Sequence, residues 1–228
     1  MKNLFSYDSK FMQIMLLLAD YIILNVIFIL CCIPIFTIGA AQAGLYSGMR
    51  VLLDREDDSS CVRAFFRGFA SGFGKITIVW IVMLVIMALL GYNLVAVLIL
   101  EAAGAFAPKW MCIVGLVILA IYQSMLTLFH SKFGCTIRQL LKNAFYIILA
   151  HPLRSIAVAA LTWAPVLVFA FAFDIFIQAT PAWIVCYYSI AFGLNVKLMN
   201  KPFQTVTENF VASYEAEHGE IVLEEEVK

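Results

Sequence analysis

Charge is scarce in this sequence. Only 13% of its 228 residues are Asp, Glu, Lys or Arg, against about a quarter in a soluble domain. Hydrophobic residues make up 64%, where roughly half is usual. The deficit excludes a water-soluble globular chain. It also excludes a nucleic-acid binder, because the 15 basic residues are matched by 15 acidic ones and form no basic stripe. Short alternating segments of about ten residues are missing as well, which excludes a transmembrane β-barrel. Patterns that carry chemistry are equally absent. The six cysteines, Cys31, Cys32, Cys61, Cys112, Cys135 and Cys186, include no CxxC pair and no ligand-like spacing to the three histidines. They read as reduced packing residues, and no metal or cofactor is expected. With no HExxH, GxSxG or P-loop, no catalytic residue is assigned and the chain reads as non-enzymatic.

What the sequence does contain is apolar blocks near the 20 residues that a helix needs to cross about 30 Å of hydrocarbon. They cover 14–33, 76–100, 110–129, 155–178 and 183–199. The first lacks a cleavage site followed by a polar mature start, so it reads as a retained span. The lipid bilayer is therefore the first partner. Basic residues orient the spans, since short cytoplasmic loops are enriched in them. Arg50, Arg55, Arg63, Arg67 and Lys75 precede the second block, and Lys132, Arg138, Lys142 and Arg154 precede the fourth. Both segments are expected on the cytoplasmic side, as is the C-terminus.

The stretch CCIPIFTIGAAQAG, 31–44, decides whether the N-terminus is inside too. Pro34 suits a first helical turn. Beyond it Gly39, Ala43 and Ser47 form one row of small residues, with Ala40, Gly44 and Gly48 in the adjacent row. Such rows let helices approach closely in lipid. The chain is expected to turn near 32–37 and return as a short helix packed on its N-terminal neighbour, either crossing fully or as a re-entrant half-membrane helix. Its partner-facing surface would be the face from Gly39 to Gly48.

Two basic amphipathic segments precede membrane hairpins. In CVRAFFRGFASGFGK, Val62, Phe65, Phe66, Phe69 and Phe73 share a helical stripe away from Arg63 and Arg67. In IRQLLKNAFYIILAHPLR, Ile137, Leu140, Leu141, Ala144 and Ile148 do the same, with Arg138 and Lys142 as the basic pair. The N-terminal MKNLFSYDSKFM is a weaker third version. The expected fold is all-α: a polytopic membrane protein of 5–6 transmembrane helices and two cytoplasmic amphipathic interfacial helices, with a possible parallel hairpin repeat. One transmembrane domain, 1–200, would be followed by an acidic cytoplasmic tail, 201–228.

The runs NVIFILCCIPIFTIGAAQAGLY and FFRGFASGFGKITIVW resemble the YesL-like family of small bacterial integral membrane proteins. The resemblance covers about the first 80 residues. It implies a plasma-membrane protein encoded beside carbohydrate uptake transporters and glycoside-degrading enzymes, of no established activity. On it rests the expectation of a non-enzymatic accessory or assembly partner of a carbohydrate ABC transporter subunit. The alternative is a small transporter or channel acting itself, through self-association.

A few polar residues fall inside the apolar blocks. Asp20 and Asp174 are the acids, and a carboxylate in a bilayer is a functional-site hypothesis by default. Asn25, Asn93, Gln123 and Asn195 are the groups that would complete a substrate or proton site. Gln123, Ser124 and Thr127 share a stripe that more readily holds helices together. His130 is expected at the solvated interface, and Pro165 is expected to kink its helix and free a carbonyl. Trp110 and Trp183 are expected as outer aromatic anchors.

Overall fold

The computed structural model describes residues 10–54, 60–99, 106–133 and 136–218. The first nine residues, with most of the third basic segment, and the tail from 219 lie outside the described residues. Every described element is helical: α1 (Lys10–Cys32), a 3₁₀ turn (Ile35–Thr37), α2 (Ile38–Asp54), α3 (Cys61–Phe73), α4 (Lys75–Ile99), α5 (Phe106–His130) and α6 (Ile137–Ala150). Then come α7 (Pro152–Phe171), α8 (Phe173–Gln178), α9 (Thr180–Ala182), a π-helical turn (Trp183–Tyr187) and α10 (Tyr188–His218). Among the described residues, five segments are long and apolar enough to cross a membrane: Phe11–Cys32, Lys75–Ile99, Phe106–His130, Pro152–Phe171 and Thr180–Thr205. The fold is thus all-α with the spans where hydropathy puts them, apart from the fourth. That span stops at Phe171, short of the expected 178, because Ala172 leaves helical geometry (φ −145°, ψ 63°).

The return after α1 is sealed by one side chain. The Thr37 hydroxyl lies 2.6 Å from the carbonyls of both Cys31 and Pro34, and the first of these is an acceptor that the end of α1 leaves without an intrahelical partner. α2 then runs back beside α1, with Gly48 against Leu24, and is buried almost throughout, from Gly39 to Leu45 and on to Tyr46, Gly48 and Met49.

The small-residue rows of α2, however, face α3 and the start of α4 more than α1. A Cβ on Gly44 would lie 2.9 Å from the Phe65 carbonyl, and one on Gly48 would lie 3.1 Å from the Cys61 carbonyl. Further along, Gly72 of α3 meets Ala43 and Ala40, while a Cβ on Gly68 would collide with Ser47. The two helices therefore run antiparallel at close range. Gly39 sits on Ile76 and Trp80 of α4. With Gly39, Ala40, Ala43, Gly44 and Gly48 buried and Ser47 half-buried, this face packs mainly inside the chain.

The same contacts give α3 a packed face of small residues beside its phenylalanine stripe. Its buried face is Cys61, Ala64, Phe65, Gly68 and Gly72. Phe66 and Phe73 stay about half exposed, Phe69 is intermediate, and Arg63 and Arg67 are exposed. The row Ala64, Gly68, Gly72 recurs every four residues, as the α2 rows do, so two sets of small residues interlock. α6 follows the expected pattern more closely. It buries Leu140, Ala144 and Ile147, leaves Arg138 and Lys142 exposed, and starts in a capping box between Thr136 and Gln139.

Aromatics bind the remaining helices. Tyr46 stacks on Phe192 at 4.3 Å, and Phe28 meets Phe192 and Tyr188. α10 runs unbroken past the boundary expected at 200, and Phe203 is buried against Phe129 and Phe133. The residues just beyond 200 belong to the bundle.

Candidate functional site

The five intramembrane polar residues fall on four helices, no hydrogen bond joins any two of them, and none lines the clefts described below. Asp20, half-buried on α1, lies against the Cys61 thiol, which burial and this carboxylate together push above its ordinary pKa. Asn93 is exposed on α4 and bonds back to its own helix at the Leu89 carbonyl, 2.8 Å. Asp174 is exposed in the first turn of α8. Gln123 is buried in α5, with both side-chain polar atoms lacking partners. His130 is buried as well, contrary to the solvated placement expected of it, because the end of α5 lies beside Gly72 of α3.

Asn25 is fully buried and serves the backbone of another helix. Its amide donates to the carbonyls of Trp183 (3.2 Å) and Ile184 (2.6 Å), and its carbonyl accepts from the Ser189 N–H at 3.0 Å. A π-helical turn strands backbone groups that a regular helix would pair. One asparagine side chain takes three of those positions. Nearby, Pro165 in α7 has no N–H to offer the Leu161 carbonyl, four residues earlier. The Tyr187 hydroxyl, from the π-helical turn, donates to that carbonyl at 2.8 Å. Further in, the Asn195 amide donates to Tyr46 Oη (3.1 Å) and Thr162 Oγ1 (3.2 Å), which ties α10 to α2 and α7. Trp163 Nε1 lies 3.2 Å from both the Ala120 carbonyl and Ser124 Oγ, so the polar stripe of α5 holds α7, as that stripe suggested.

These contacts frame a cleft of about 460 Å³ between α1, the start of α2, α4, α7 and the segment from α8 to α10. Three of the four tryptophans in the chain, Trp80, Trp163 and Trp183, line it together with Phe28, Phe176 and Tyr188. Trp80 and Trp163 stack with centroids 6.5 Å apart. Trp183 is thus a wall of the cleft, in contact with Phe176 and Tyr187, where an outer belt anchor was expected. Trp110, 49% exposed, keeps its expected place on the outside of α5. Gln42 and Thr162 supply polar lining, and no lining residue is charged. Sequence reasoning missed this cleft because its walls come from five separated segments. The signal available was that the tryptophan at 163 falls well inside its span, away from the ends where anchors belong.

A second, smaller cavity of about 60 Å³ lies between Arg50, Asp54, Lys132, Val196, Asn200 and Phe203. Arg50 and Lys132 both approach the Phe203 ring, at 5.7 and 5.4 Å. Burial, with Arg50 nearby, pulls the Lys132 pKa below its ordinary value. No group of metal-ligating side chains occurs among the described residues.

Residues 21–94 match the family described as "Protein of unknown function, DUF624", a stretch that holds α2, α3 and most of α1 and α4. No match is found among curated proteins or among solved structures. The first part of this chain, including the return helix and the Gln42 and Trp80 side of the cleft, is therefore similar to a family whose description assigns no function.

Proposed function

We propose that this chain is a non-enzymatic plasma-membrane protein, with its C-terminus on the cytoplasmic side, that acts as an accessory or assembly partner of a carbohydrate uptake transporter. The carbohydrate context rests on the resemblance to YesL-like proteins, which belong to the matched family. The orientation rests on the distribution of arginine and lysine. A carrier with its own site at Asp20, Asn25, Asn93, Gln123 and Asp174 is disfavoured by the scatter of those residues.

One observation carries the accessory reading. The outward face of α4 presents Tyr92, 75% exposed, and Asn93 beside it, and a side chain on Gly91 would meet nothing within 4 Å. Polar groups on a lipid-facing helix are costly unless paired, the bond of Asn93 to the Leu89 carbonyl leaves its own side-chain carbonyl free, and small residues admit a neighbouring helix. A transmembrane helix of a transporter subunit fits this combination. The test places a photo-crosslinking side chain at Tyr92, with Phe145 on α6 as control, in cells grown on several carbohydrates. A covalent adduct with a transporter subunit from position 92, lost in Gly91→Leu, is the expected result. Adducts with a second copy of the chain, or with lipid alone, overturn it.

A further inference from the structure

Four of the six hydroxyl and indole donors that line the aromatic cleft are bonded within the protein; those of Trp183 and Tyr188 are the others. Trp80 Nε1 donates to the Ile35 carbonyl at 2.9 Å, and Trp163 Nε1 is taken up at Ala120 and Ser124. The hydroxyls of Thr162 and Thr180 donate back to their own helices, at Val158 and Phe176. Two buried groups on lining residues remain without partners: Gln42 Oε1, an acceptor, and Trp183 Nε1, a donor. Gln42 is only 7% exposed, and a buried polar group left unpaired is uncommon enough to call for an explanation.

Charge, size and access narrow the occupant. The lining holds no cation and no anion, so a phosphate or carboxylate would enter without a counter-charge, at a prohibitive desolvation cost. A volume of about 460 Å³ lies within the range of roughly 300–1,000 Å³ typical of sites for small organic ligands. Val166 and Ile184, on the fourth and fifth spans, line the cleft and are about half exposed. The mouth therefore opens on the side of the bundle that faces lipid.

We propose that this cleft binds an uncharged, membrane-soluble ligand whose mainly apolar body carries a hydroxyl and a carbonyl. The ligand hydroxyl donates to Gln42 Oε1, its carbonyl accepts from Trp183 Nε1, and its hydrocarbon packs on the tryptophan walls. A monoacylglycerol, with an ester carbonyl and two hydroxyls at the head of a single acyl chain, is a compound of that class. The site is separate from the partner surface proposed on the outer part of α4, so either can fail without the other.

Because three of four tryptophans line the cleft, intrinsic fluorescence reports its occupancy. The full chain is placed in phospholipid nanodiscs and titrated with a monoacylglycerol brominated on its acyl chain, and with the matching brominated fatty acid and phosphatidylglycerol. Expected is saturable quenching by the monoacylglycerol, competed by its unlabelled form, with quenching by the charged lipids rising only in proportion to their mole fraction. Trp183→Phe keeps an aromatic wall and removes the donor, and should weaken binding about tenfold, as the loss of one buried hydrogen bond implies. Val166→Trp, at the half-exposed rim, should block the cleft and abolish saturation while leaving the melting temperature near that of the parent. Quenching linear in mole fraction for all three lipids overturns the proposal. So does saturable binding that favours a charged lipid, or that survives Val166→Trp.

Discussion

α2 and α4 invert the habit of water-soluble proteins. α4 is the more apolar helix, yet it buries only Ile76, Thr77, Val79 and Trp80, all in its first two turns. α2 contains two glycines for close contact with α3, together with Gln42, Tyr46 and Ser47, and is buried nearly end to end. In lipid, burying a leucine against protein gains little, because the hydrocarbon around the protein is as apolar as a leucine core. Association is won by close backbone approach and by hydrogen bonds. Small and polar residues therefore mark the inside of this bundle, and large apolar ones its outside.

Substitutions that exchange the two environments test that inversion. Gly44→Leu pushes a side chain into the Phe65 carbonyl and the Phe69 backbone. It should cost about 3 kcal/mol, at the upper end for overpacking, visible as a large fall in melting temperature of the detergent-purified protein. A parent-like melting curve would mean that α3 does not pack along α2. Asn25→Leu is similar in size and adds apolar surface, which by area alone would be favourable. Here it strips three hydrogen bonds from the turn at Trp183–Tyr187, and a loss of roughly 2 kcal/mol is expected from net values of about 0.6–1 kcal/mol per bond. Tyr187→Phe should cost about 1 kcal/mol. In a Pro165→Ala background that cost should shrink toward zero, because the new N–H at 165 can take the Leu161 carbonyl; an unchanged cost in the double-mutant cycle would sever the link between the two residues. Smallest of all, Gly91→Leu on α4 should leave the unfolding free energy of the isolated chain within about 0.5 kcal/mol of the parent, since nothing lies within 4 Å of the new Cβ.

The inversion also explains which parts could be read from the sequence. Long apolar outer faces announce the spans, and four of the five were placed to within a few residues. The turn at Thr37 and the return of α2 followed from Pro34 and from two rows of small residues. In α3 the phenylalanines form the larger stripe. The contact is made by Ala64, Gly68 and Gly72, a weaker pattern that becomes meaningful only beside the matching rows of α2. The break at Ala172 and the π-helical turn have no local signature. Both depend on partners distant in sequence, Asn25 among them, whose single amide looked like a candidate ligand group and proves to be engaged with backbone. The cleft was least legible, since its tryptophans are separated by about eighty and twenty residues and meet only when α4, α7 and the turn before α10 are assembled.

The burial of α2 between elements made before and after it sets an order of assembly. As the polypeptide leaves the ribosome, α1 is apolar enough to settle in the bilayer unaided. α2 is not, and the surfaces that would cover its glycines and its Gln42 and Arg50 side chains belong to α3, α4, α5 and α10. Its entry must wait for them. A chain cut short after Asp54 would hold an anchored α1 and an orphaned α2, the form a membrane quality-control protease would meet first.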